Sequence, residues 1–266
     1  MLRLSSLFAA LILGTLGLGC VDAPTEHRVR ANAFLRGGDA AAALKEIDLG
    51  LERRKDDTAL LILRGRALFE LDRMPDARDA FTRAMATGKA QGEGDKALAE
   101  AHLGLAMVAS RTSDWSAART HFEALVGIND KDATSHMNVA RACVELRDIE
   151  CAIAHGEAAG KLRGNDESVL YTLGNVYLNA GKLKEAELTF QHLCEVVPGA
   201  SSCPYGLALT AAKGGDKAGA LEKLREAVDR KVPRPQSIAT EPAFASLKDD
   251  PAFLELCARA TTTKQD

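Results

Sequence analysis

The sequence predicts an all-α fold, a superhelix of six stacked helix-turn-helix hairpins closed by a C-terminal cap. Three observations predict it. The 266-residue chain is dominated by Ala and Leu and is only 5% aromatic, a bias toward helix and away from strand. Its 46% hydrophobic and 27% charged content is that of an ordinary globular protein, which argues against bulk disorder. Small and large apolar residues also recur with a period of 34 residues over most of its length. A formal charge of −3 leaves no electrostatic footprint for nucleic acid.

The first element is an address. Met1 to Cys20 carries Arg3, then the apolar run Leu7 to Leu13, then small residues ending in Gly19-Cys20. The run is too short to remain across a bilayer. The segment resembles the lipobox of bacterial lipoproteins, although Gly17 stands where Leu is commonest. That resemblance implies removal of residues 1–19 and lipidation of Cys20. Several acyl chains on one Cys anchor firmly where one anchors marginally. Val21 follows the Cys and Asp22 comes one later, so the resemblance favours the periplasmic face of the outer membrane. The alternative is an ordinary secretory signal cleaved nearby.

The repeats come next. Glu167 to Ala200 contains Leu170, Leu173-Gly174, Tyr177, Gly181, Ala186, Phe190 and Pro198. Apart from Leu170 in place of Trp, this is the tetratricopeptide pattern, and the unit resembles a tetratricopeptide repeat. The phase carries both ways and gives units at 24–57, 58–91, 99–132, 133–166, 167–200 and 201–234. One insertion of about seven residues near Gln91 to Ala97 breaks the register, read as a loop or a helix-end extension. Gly or Ala at the eighth position and Ala at the twentieth let the two helices of a hairpin approach closely. Neither face of a hairpin can be buried alone, so neighbours stack.

Beyond Arg230 the period stops. Pro233, Pro235 and Pro242 exclude a continuous helix. Phe244, Leu247, Phe253, Leu254 and Leu256 form an apolar set suited to covering the last repeat. Residues 235–266 are therefore read as a cap and tail, the alternative being a functional peptide.

Cys143 and Cys151 straddle the turn at Arg147-Asp148, and Cys194 and Cys203 straddle Pro198-Gly199. Residues equidistant from a hairpin turn face each other, so each pair suits a disulfide, which export would permit. The alternative is free buried cysteines. Cys257 is left over. No cluster has zinc-like spacing, so neither a metal nor another cofactor is expected.

The chain has no Gly-rich phosphate loop, nucleophile elbow or zincin helix, and an enzyme with a small-molecule substrate is not expected. His27, His102 and His136 share the fourth repeat position, where a large packing residue is usual. His121 and His155 share a phase on second helices and are expected on or near the convex side. In tetratricopeptide proteins the concave face is lined by fixed first-helix positions. Carried onto this chain, they are Ile62, Phe69, Leu103, Met107, Met137, Val144, Tyr171, Asn175, Leu178, Tyr205 and Leu209. The expected groove is apolar along its length and suits a peptide. Some of these side chains would instead turn into the core if the helix phase is off by one position. Arg28 and Asn32 echo the first part of the carboxylate clamp of chaperone-binding members. Its basic positions in the third repeat are Glu100 and Gly104, so that clamp is absent.

A lipobox, six repeats and a short cap together resemble the layout of the pilotins of type IV pilus biogenesis. That resemblance implies a lipid-anchored outer-membrane helper that promotes assembly of a secretin, its protein partner. The alternative is an adaptor or structural subunit of another envelope machine, for outer-membrane protein insertion or cell-wall enzyme recruitment.

Overall fold

The computed structural model describes residues 23–262, so the signal segment and Cys20 lie outside the described residues. Six antiparallel helical hairpins follow one another: α1 (Ala23–Arg36) with α2 (Ala40–Arg53), α3 (Thr58–Glu70) with α4 (Met74–Ala90), and α5 (Asp95–Arg111) with α6 (Trp115–Ile128). They continue with α7 (Ala133–Glu145) and α8 (Ile149–Leu162), α9 (Glu167–Asn179) and α10 (Leu183–Val196), and α11 (Ser202–Lys213) and α12 (Lys217–Asp229). Each helix packs on the next, and first helices also pack on first helices. None of the described helices is long and apolar enough to cross a membrane.

The period has a physical basis in four features. The twentieth residue is Ala in every repeat, and Ala43, Ala77, Ala118, Ala152, Ala186 and Ala220 are all fully buried. The fifteenth residue, just before the second helix, has a left-handed backbone in all six repeats: Gly38, Asp72, Ser113, Arg147, Gly181 and Gly215. An Asp precedes many helices and accepts a hydrogen bond from a first-turn N–H. Asp39, Asp114, Asp148 and Asp216 do so before second helices, and Asp57, Asp132 and Asp166 before first helices. Lastly, Phe81 and Phe190 occupy the same register in repeats two and five and wedge between glycines. A Cβ on Gly174 would lie 2.5 Å from Phe190, and one on Gly206 only 2.3 Å from it.

The insertion after the second repeat is a helix-end extension on both sides. α4 and α5 each run 17 residues, and the left-handed Gly92 turns the chain between them. Past α12, two 3-10 helices start at Pro235 and Pro242, and α13 (Pro251–Thr262) starts at Pro251. Ile238, Phe244, Leu247, Phe253 and Leu256 join the same buried cluster as Phe190, Leu209 and Leu224. Leu254 does not: it is 55% exposed and faces solvent. Both predicted cysteine pairs are joined, Cys143 to Cys151 with Cα atoms 5.9 Å apart and Cys194 to Cys203 with Cα atoms 5.2 Å apart. Cys257 is a free, half-buried thiol whose pKa is raised by burial.

Candidate functional site: the concave groove

The first helices α7, α9 and α11 and the segment from Val232 to Glu241 line an open groove of about 890 Å³. That is ample for several residues of an incoming chain. Met137, Val144, Tyr171, Asn175 and Tyr205 line it. The two tyrosines are fixed from behind. The Tyr171 ring packs at 5.9 Å on Phe190, and the Tyr205 ring meets Phe244 of the cap edge-on at 6.0 Å. Asn175 Nδ2 donates to the Tyr171 carbonyl one turn earlier (2.8 Å). Burial pushes the Tyr171 phenol up, partly offset by Asn175. Burial also pushes the Tyr205 phenol up, with the Glu241 carboxylate adding to it. Both phenols thus stay protonated hydrogen-bond donors at neutral pH.

Three of the expected groove residues are not surface at all. Ile62 is 4% exposed, Leu178 4% and Leu209 5%. Leu178 and Leu209 lie in one cluster with Ile238, Phe244 and Leu247: α11 packs on α9 over Leu178, and the cap folds onto α11. Ile62 is in the second-repeat core, where α1 and α5 both pack against α3. Phe69 is half-buried against the same core. Leu103 and Met107 remain 43% and 42% exposed, since α5 and α7 stand further apart than the other neighbouring first helices.

The expectation of a groove apolar throughout is also corrected. Arg141, Glu145, Asn179, Arg234, Ser237 and Glu241 share the cavity wall with the apolar side chains. Sequence reasoning missed the contribution of Val232–Glu241, because a Pro-rich segment outside the period carries no phase. His121 and His155 sit on the second helices α6 and α8, as the sequence indicates. They turn into the seam between the two helices of their hairpins and meet His102 and His136, with Nδ1 atoms 3.1 Å and 3.0 Å apart. The signal was a shared spacing of 19 residues, which also brings His27 Nδ1 to 2.8 Å from Glu46 Oε2.

Stacked hairpins with a ligand-sized hollow on the inner side agree with the comparison to known proteins. Tetratricopeptide-repeat profiles match residues 56–131, and 103–166 with 171–236. The chain belongs to the tetratricopeptide-repeat family. Such repeats are scaffolds for protein–protein interaction. In sequence it is similar to DnaJ homolog subfamily C member 3 of Bos taurus, 24% identical over 160 residues that cover 57% of this chain. The match spans only 32% of that relative. In fold it is similar to PilW, a type IV pilus biogenesis factor (TM-score 0.63, 14% identity, 77% of this chain and 92% of that one). It is likewise similar to PilF of Pseudomonas aeruginosa (TM-score 0.60, 11% identity, 77% of this chain and 90% of that one). At these identities the likeness is one of fold.

Proposed function

We propose that this tetratricopeptide-repeat protein is a lipid-anchored scaffold of the outer membrane, tethered through Cys20, that holds a secretin segment in its concave groove during multimerisation for type IV pilus assembly. The observation that carries the reading is the open groove lined by Met137, Val144, Tyr171 and Tyr205 together with Asn175 and Arg234. Rigid aromatic faces, an adaptable Met and a few fixed polar groups suit a mostly apolar segment whose backbone is still unpaired. The lipobox-like start supports the anchor, and the fold shared with PilW supports the pilus setting.

The test is a pair of groove variants, Met137→Glu and Asn175→Glu, combined in one chain and checked for native helicity by circular dichroism. The heat- and detergent-resistant secretin multimer should fall to the level seen on deletion of the protein. An intact multimer on deletion sinks the secretin assignment. Pull-down of an outer-membrane insertase or a cell-wall hydrolase in place of secretin would instead assign the scaffold to another envelope machine.

A further inference from the structure

The first repeat lacks the covering that every later repeat has. Each later first helix packs on the second helix of the repeat before it, and among the described residues no second helix precedes α1. The third repeat position is buried five times, at Leu60, Ala101, Ser135, Val169 and Cys203. The tenth is also buried five times, at Ala67, Val108, Ala142, Val176 and Thr210. In the first repeat these positions are Glu26 and Ala33, and both are exposed. Val29, at the sixth position, is 62% exposed where Leu63 is 5%. At about 3.6 residues per turn Glu26, Val29 and Ala33 form one stripe, with Arg30 and Arg36 on either side of it. Both arginines are exposed, and Arg30 pairs with Glu26 one turn earlier.

Chemistry, size and place in the chain select what covers this stripe. Another hairpin stacked there in the manner of the later repeats would bury the Glu26 carboxylate at a position that is otherwise apolar or small. One helix of 14 residues offers a strip about 21 Å long and about 10 Å wide, far below the roughly 800 Å² per partner of a stable protein interface. An apolar side chain between guanidiniums suits a phospholipid headgroup layer, where the aliphatic stems pack down and the charges stay at the phosphates. Cys20 stands three residues before Ala23, a span of about 10 Å when fully extended. An acylated Cys20 therefore keeps the first turn of α1 at the bilayer surface, and α2 and α3 occupy other sides of the helix.

We propose that the uncovered stripe of α1, Val29 and Ala33 between Arg30 and Arg36, is a membrane-contact surface that lies on anionic phospholipid headgroups. The inference rests on the lipid anchor at Cys20 proposed above. It stands the stack on its first repeat and holds the groove, which begins three repeats later at Met137 of α7, off the bilayer.

The test uses the full lipidated chain, purified from membranes and returned to vesicles of phosphatidylethanolamine and phosphatidylglycerol. A nitrobenzoxadiazole label is placed through Val29→Cys or, for comparison, through Leu188→Cys, both exposed positions. The background is Cys257→Ser with the two disulfides left oxidised. On vesicles the label at position 29 should shift to the blue and lose access to aqueous iodide by about threefold or more, and the label at position 188 should change in neither respect. Arg30→Glu with Arg36→Glu should restore iodide access at position 29 without releasing the chain, and unchanged protection overturns the anionic headgroup contact. A chain that floats with the vesicles while position 29 stays as open to iodide as position 188 overturns this surface and leaves the anchor standing. A chain that does not float overturns the anchor and this surface together. Protection of position 29 in a non-acylated Cys20→Ser chain without vesicles, with a doubled mass in light scattering, assigns the stripe to a second copy and overturns the membrane contact.

Discussion

A missing side chain decides as much here as a present one. Gly174 and Gly206 belong to different repeats, yet both press on the ring of Phe190, which is fully buried. A methyl at either site would overlap the ring, and a close-packed core has no room to let the ring move. Gly206→Ala should therefore cost about 1–3 kcal/mol in urea unfolding, whereas Ala ordinarily strengthens a helix over Gly. At the same scale, burial depresses His102 and His121 below the usual imidazole range, with Lys89 adding to the effect on His102 and the facing ring adding to it on His121. Asp114 opposes it at His121. The unfolded chain then binds more protons than the folded one between the depressed and the ordinary value. The contribution of these residues to stability is full above about pH 6.5 and is lost as pH falls through the depressed values. Melting temperature should drop on acidification below pH 6.5, and the double variant His102→Gln, His121→Gln should show a shallower drop. An unchanged slope would contradict this assignment.

The hairpin turn is the element that repeats most faithfully. Its fifteenth residue is left-handed six times, but only three of the six are glycine. Ser113 and Arg147 adopt that backbone at a cost that Gly does not incur. Ser113→Gly and Arg147→Gly should each raise stability by about 1 kcal/mol, read as an upward shift of the urea midpoint at constant slope. The two disulfides act on the same scale, since each closes a short loop between consecutive helices, α7 to α8 and α10 to α11, with sequence separations of 8 and 9. The chain-entropy account gives about 2.5 kcal/mol for each. Cys194→Ala with Cys203→Ala should lose roughly that amount while leaving helicity intact.

Much of the whole molecule is legible in the sequence because six copies of one pattern reinforce each other. Ala at the twentieth position and Gly or Ala at the eighth need no tertiary information to be recognised. The turn was legible where it is Gly38, Gly181 or Gly215, and at Arg147-Asp148 between Cys143 and Cys151, but Asp72 and Ser113 carry no such signal. The groove was legible in part, for a reason that Ile62 and Leu103 make plain. Both occupy the fifth position of their repeats, yet one is 4% exposed and the other 43%. How closely the next first helix approaches decides between them, and that distance is a property of the stack. Leu209 was lost to the groove for a different reason, because the cap lies on it. The histidine pairs escaped notice because their partners are 19 residues apart on facing helices.

The central claim is that the hollow side of the stack grips a secretin, so the most direct measurement is contact between the two in the cell. A photo-crosslinking phenylalanine analogue at Tyr171, which lines the cavity, is compared with the same analogue at Leu188, which is 56% exposed on α10 outside it. The account predicts a secretin adduct from position 171 and none from position 188. Adducts of equal yield from both positions, or a position-171 adduct that contains no secretin, would contradict it.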